Sequence, residues 1–217
     1  ANPGATSGSA DGSTATAAQF NTPGGMALEP SGRILWVADT VNNTVRRLDL
    51  GAGTTSTLAT NSSGGNILFS APVDVAVDAN TNLYILTRDD GRIHQLDLRN
   101  LNLGATVTPI TPVGTFTAPN ALAFDGFGHL YVVEEAGALR RVALSNYSVS
   151  GGSVVPPGTF VQPRGVEVLD NGRIAVSDAT LHTVSLVDPN TLVVTPHAGT
   201  AGVPGLATGP GAAAQFN

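Results

Sequence analysis

The sequence predicts an all-β fold, a β-propeller of four-stranded antiparallel blades with four repeats in the chain, and three observations carry that prediction. A four-residue phrase, aromatic–two spacers–proline, occurs four times at nearly even spacing: Phe20-Asn21-Thr22-Pro23, Phe69-Ser70-Ala71-Pro72, Phe116-Thr117-Ala118-Pro119 and Phe160-Val161-Gln162-Pro163, the prolines 49, 47 and 44 residues apart. Each phrase is followed by short alternating apolar and polar runs, the two-residue period of a half-buried strand. Gly (26) and Pro (14) together punctuate the chain too often for long helices, and no segment sustains a 3.6-residue period. Four short antiparallel strands per roughly 45 residues is the pattern of a propeller blade.

The elements follow in order. After each proline comes a first strand: Gly25-Met26-Ala27-Leu28, Val73-Asp74-Val75-Ala76-Val77, Ala121-Leu122-Ala123-Phe124 and Gly165-Val166-Glu167-Val168. A turn of residues that tolerate positive φ or bond their own backbone comes next: Pro30-Ser31-Gly32, Asn80-Thr81-Asn82, Asp125-Gly126-Phe127-Gly128 and Asp170-Asn171-Gly172. Second strands start at Ile34, Leu83, Leu130 and Ile174, and third strands at Thr44, Arg92, Leu139 and Thr183. A weaker Thr/Val-rich fourth strand closes each unit, as at Thr55-Ser56-Thr57-Leu58 and Leu192-Val193-Val194. The expected organisation is a single domain over 1–217, with repeat units at approximately 20–68, 69–115, 116–159 and 160–215.

Composition narrows the function. Ten Lys and Arg against sixteen Asp and Glu give a net charge of −6. Nucleic-acid binding needs a basic face, and anionic lipid repels this sign, so neither nucleic acid nor membrane insertion is expected. No apolar run approaches the roughly 18 residues of a membrane helix. The absence of Cys removes thiol nucleophiles, disulfides and Cys-ligated metals together. Charged residues are 12% of the chain, about half the usual share. A surface of Thr, Ser, Asn, Gly and Ala with few charges points to a secreted setting, extracellular or periplasmic.

The first unit resembles an NHL repeat, in Pro23-Gly24-Gly25-Met26-Ala27, Gly32-Arg33-Ile34-Leu35-Trp36-Val37-Ala38-Asp39-Thr40 and Asn42-Asn43-Thr44-Val45-Arg46. The likeness is strongest in 20–50 and fair elsewhere; the Asp39 position becomes Thr87, Glu134 and Asp178 in the later units. The resemblance implies the propeller fold. It leaves function open, because NHL propellers serve as protein-binding, RNA-binding, sensor and occasionally enzymatic modules.

Ala17-Ala18-Gln19-Phe20-Asn21 recurs verbatim as Ala213-Ala214-Gln215-Phe216-Asn217, and Gly8-Ser9-Ala10-Asp11-Gly12 is echoed by Gly205-Leu206-Ala207-Thr208-Gly209. The repeats therefore form either a closed four-blade ring with overlapping ends or part of a longer array. The longer array is favoured, because an end just after Phe216 leaves an unpaired apolar start. The Ala1 to Gln19 segment and Phe216-Asn217 are the expected places for self-association.

Candidate chemistry is sparse, and no catalytic residue and no metal ligand set is assigned. Asp39, Glu134 and Asp178 end second strands and read as caps of their own turns. Gly24, Val73, Asn120 and Arg164 start the innermost strands at one mouth of the expected channel. Asp74, Asn120, Arg164 and Glu167 are the polar groups nearby and form the candidate binding site. Oxygen donors there would suit Ca²⁺, and calcium-dependent lactonases of propeller type place Glu, Asn and Asp near this axis, but no lactonase motif is present. His94, His129, His182 and His197 occupy different blade registers without zinc-ligand spacing. No GxSxG elbow and no phosphate loop occurs. Three sequons, at Asn42, Asn61 and Asn146, are expected in exposed turns or loops. The leading expectation is a non-catalytic extracellular module, without a cofactor, that binds another protein or assembles into a larger structure. The alternative is a metal-dependent hydrolase or lactonase acting in the central channel.

Overall fold

The computed structural model describes residues 7–13, 17–58, 67–103, 106–112, 114–156 and 158–217. The chain divides into two compact units, Ala1–Thr115 and Phe116–Asn217, and each holds two antiparallel sheets.

In the first unit, one sheet contains β1 (Gly12–Ser13), β2 (Pro23–Leu28), β3 (Ile34–Asp39), β4 (Thr44–Asp49) and β5 (Thr54–Thr57), in the order β1-β5-β4-β3-β2. The other contains β6 (Pro72–Val77), β7 (Asn82–Thr87), β8 (Arg92–Asp97) and β9 (Thr108–Pro109), in sequence order. In the second unit, β10 (Pro119–Phe124), β11 (His129–Glu134), β12 (Leu139–Ala143) and β13 (Ser148–Val149) form one sheet. There β14 (Pro163–Val168), β15 (Ile174–Asp178), β16 (Thr183–Val187) and β17 (Val194–Ala198) form the other. Each is a meander of the kind that makes a propeller blade, as the periodicity predicts.

The repeat phrase has a structural reason. Proline lacks an N–H and is tolerated as the first residue of a strand. In all four sheets the ladder shifts register just after it, between Pro23 and Met26, Pro72 and Asp74, Pro119 and Ala121, and Pro163 and Gly165. The residue before the proline takes positive φ in three of the four, at Thr22, Ala71 and Ala118. Its carbonyl accepts from the residue after the second strand: Thr40, Arg88 and Glu135 donate to Thr22, Ala71 and Ala118, and Ala179 donates to Gln162. Those bonds hold a backbone that would otherwise be strained.

Alternation along the strands builds the cores. In the first unit Ile34, Trp36, Ala38 and Val45 of one sheet pack with Phe69, Val75, Leu83, Ile85 and Leu96 of the other. In the second, Tyr131, Val133 and Leu139 pack with Phe160, Val166, Ile174, Val176 and Val187. The repeat aromatics Phe69, Phe116 and Phe160 are all buried.

Three details differ from the sequence reading. An additional strand, β1, extends the first sheet. A 3₁₀ segment, Leu98–Leu103, follows β8. The last fourth strand begins at Val194 rather than Leu192, because Leu192 has φ 62° and belongs to the turn in which Asp188 accepts from the amides of Asn190 and Thr191. The sequon at Asn61 and the residues before position 7 lie outside the described residues.

Candidate functional site

The second residues of the innermost strands are Gly24, Val73, Asn120 and Arg164, as the repeat alignment predicts. In the second unit two of the predicted polar groups meet. Asn120 Nδ2 donates to the carbonyl of Pro163 at 2.8 Å, and Arg164 Nη1 lies 3.5 Å from Asn120 Oδ1. Arg164 Nη2 is also 3.7 Å from Glu135 Oε1, an oxygen that accepts from Gln162 Nε2 at 3.4 Å. Glu135 and Gln162 are thus parts of this surface that the sequence reading did not single out. Their signal was available: each sits beside a repeat landmark, Glu135 just after β11 and Gln162 just before the proline.

Glu167 lies further along β14, paired opposite Ala175. Its side chain touches solvent, yet the protein around it removes enough water to hold its carboxyl above the usual range. Asp74 belongs to the first unit, at the start of β6, where its Oδ1 accepts from the Val75 amide at 2.8 Å. An added Cβ at Gly25 would overlap this carboxylate, so the two strands β2 and β6 approach closely there. The chemistry of the Asn120–Arg164–Glu135–Gln162 surface is hydrogen bonding. It contains no nucleophile with an adjacent base.

The strand-end acids act structurally, on a wider scale than a single turn. Asp178 Oδ1 accepts from Thr180 and Leu181 in its own turn, while Oδ2 accepts from Val161 at 2.7 Å in the segment leading into the blade. Glu134 accepts from the Thr117 amide in the same way. Asp39 accepts from the Asn21 amide at 2.7 Å and from Asn42 Nδ2 at 2.7 Å, and pairs with Arg46 at 3.0 Å. Arg46 is wholly buried. Its guanidinium also donates to the carbonyls of Gln19 and Ala10 and to Asp11, with the Phe20 ring 4.9 Å away. Because Asn42 Nδ2 makes two bonds, one of them to the Gly8 carbonyl, that sequon is less open than its turn position suggests.

The histidines are dispersed. His94 packs edge-on to Phe69, His129 Nδ1 donates to Asp125 Oδ2 at 2.9 Å, His182 sits in a positive-φ turn and His197 lies in β17. Among the described residues no three His, Asp or Glu side chains gather to hold a metal ion.

No protein-family model matches the chain. Over 184 residues it is 27% identical to protein SUPPRESSOR OF QUENCHING 1, chloroplastic, of Arabidopsis thaliana, a match covering 83% of this chain and 15% of that protein. Among solved structures, an auxiliary nutrient binding protein from Bacteroides ovatus superposes with a TM-score of 0.75 at 13% identity, over 95% of this chain and 49% of that one. The structure of a nidogen/laminin complex gives 0.62 at 19% identity, over 81% of this chain and 63% of that one. The fold is that of a β-propeller. The chain therefore spans a small part of the curated relative and about half to two thirds of these solved neighbours. Among the described residues, no helix is long and apolar enough to cross a membrane.

Proposed function

We propose that this chain is a non-catalytic interaction module of NHL-like repeats that binds another protein or a further copy of itself. One observation carries the reading. Met26 in β2 is 62% exposed, whereas the residues at its register position, Val75 in β6 and Val166 in β14, are 2% and 8% exposed. Leu28, two residues on along β2, is 51% exposed. A strand built to be covered by a neighbour thus presents an apolar face, the usual mark of an interaction surface. The solved neighbours are compatible with binding, since one is a nutrient binding protein and another a nidogen/laminin complex. The low-charge surface favours an extracellular or periplasmic setting. Metal-dependent hydrolysis has less support, because Asp74 Oδ1 is bonded within its own strand and a guanidinium, that of Arg164, stands beside Asn120.

The test is the mass of the full chain by light scattering as concentration rises, for the natural sequence and for Met26→Glu/Leu28→Glu. The natural chain is expected to associate and the double variant to stay monomeric. A natural chain that remains monomeric at every concentration, or a variant that associates equally, overturns the reading that a further copy covers β2.

A further inference from the structure

A cleft of about 300 Å³ opens in the second unit, away from the Asn120–Arg164 surface. It is lined by Asp125 and Phe127 of the β10–β11 turn, by His129 and Tyr131 of β11 and Arg141 of β12, and by Arg173 and Asp188 of the neighbouring blade. Tyr131 and Arg141 are opposite one another on β11 and β12.

What the cleft offers follows from which groups are already engaged. Asp125 Oδ1 accepts from the amides of Phe127 and His129, and Oδ2 takes His129 Nδ1. Asp188 Oδ1 accepts from Asn190 and Thr191. Both carboxylates are thus turned toward their own loops. Arg141 is exposed and bonded to the Tyr131 hydroxyl, and Arg173 meets Asp188 only at Coulombic range. Burial holds the Tyr131 phenol above its ordinary value, so it stays protonated and able to donate. Two guanidiniums and a phenol are then available for an acceptor. Phe127, at the tip of the same turn, is 84% exposed, an apolar plate at the rim.

The first unit supplies an internal comparison. At the same register, Glu29, Trp36, Arg47, Thr81 and Arg99 line a cleft of about 600 Å³. Trp36 pairs with Arg47 across β3 and β4 as Tyr131 does with Arg141. There two of the donors are engaged within the protein: Trp36 Nε1 donates to Glu29 at 2.8 Å, and Arg99 grips Asp97 through two bonds of 2.8 and 2.9 Å. Arg47 lies 3.9 Å from Asp49, and Asn82, at the position of Arg173, bonds Asp78. A repeat position that leaves one guanidinium, Arg47, open in the first unit offers two guanidiniums and a phenol in the second, and of the two clefts only the second carries an exposed aromatic.

We infer that this cleft binds an acidic sugar, the carboxylate engaging Arg141 and Arg173 and a ring face lying against Phe127. Paired guanidiniums suit a carboxylate through bidentate bonds. An aromatic plate suits the apolar C–H face of a pyranose. This binding deepens the interaction-module reading while using a different surface, so either can fail without the other.

The experiment is a titration of the full chain with digalacturonate at fixed ionic strength, followed by calorimetry and by amide shifts in NMR. Saturable binding is expected, with shifts at 125–131, 171–173 and 188–190. Arg141→Ala and Arg173→Ala should each weaken it about tenfold or more, and Phe127→Ala should weaken it too. Arg47→Ala, in the first unit's cleft, should leave it unchanged, and each variant's melting curve checks that it is folded. No binding, equal binding of neutral digalactose, or Arg141 and Arg173 variants that bind as well as the natural chain overturns the inference. Full displacement by sulfate at matched concentration would reduce the cleft to a general anion site and overturns the sugar assignment. Loss of self-association in Met26→Glu/Leu28→Glu with digalacturonate binding intact separates the two surfaces.

Discussion

Replacing Asp39 with alanine tests how the first blade is held together. Asp39 and Arg46 are both fully shielded from solvent in their side chains and 3.0 Å apart. Removing the carboxylate leaves a buried guanidinium whose remaining charged partner, Asp11, is 50% exposed. It also strips the acceptor from the Asn21 amide and from Asn42 Nδ2. Breaking one side of a buried pair costs about 3–5 kcal/mol. For a chain of this size that is a fall in Tm of about 6–20 °C. Asp11→Asn, at the exposed partner, should cost no more than about 1 kcal/mol. Trp36 is the one tryptophan in the sequence and belongs to the first unit's core. Its fluorescence in a urea titration therefore reports this unit directly. Asp39→Ala/Arg46→Met should be no less stable than Asp39→Ala, since the uncompensated charge is gone. A loss under about 1 kcal/mol for Asp39→Ala, or strict additivity of the two single changes, would refute the reasoning.

Three further substitutions probe other parts of the fold. Burial holds the His94 imidazole below its ordinary value, with Arg92 adding to this and Asp90 opposing it. The unfolded chain then binds the proton more readily, so stability is full above about pH 6.5 and declines as the pH falls below it; His94→Gln should flatten that limb in melting curves between pH 7 and pH 5. At Gly137, φ is +90° and a Cβ would run into the Phe160 carbonyl, whereas at Gly172, φ +77°, nothing lies within 4 Å. Gly137→Ala should cost about 2–5 kcal/mol and Gly172→Ala about 1 kcal/mol, measured by urea midpoints; equal losses would rule out the close approach.

The fold was legible because a blade is a local object. Strand alternation, the turn residues and the recurring proline all act over a few positions, so Pro23, Pro72, Pro119 and Pro163 could be read as four strand starts from the chain alone. The same locality explains the error at Leu192: Leu-Val-Val has strand propensity, but Asp188 bonds Asn190 and Thr191 and draws Leu192 into the turn. The strand-end acids were also readable as caps. That Asp39 would bury an arginine was not, since Arg46 reaches Ala10 and Asp11 across more than thirty residues.

Sites were less legible than strands for the same physical reason. Asn120 and Arg164 were singled out from their place beside the prolines, yet only folding puts them 3.5 Å apart and brings Glu135 to the same guanidinium. The repeat assigns Trp36–Arg47 and Tyr131–Arg141 the same register. Whether their donors are already satisfied depends on what folding brings beside them: Glu29 takes Trp36 Nε1, while Arg141 finds the Tyr131 hydroxyl. Sequence alone determined the period, the strand faces and the low charge. Tertiary structure decided which polar groups are already paired and which stand open, because pairing is a property of distances between segments and not of the order in which they are written.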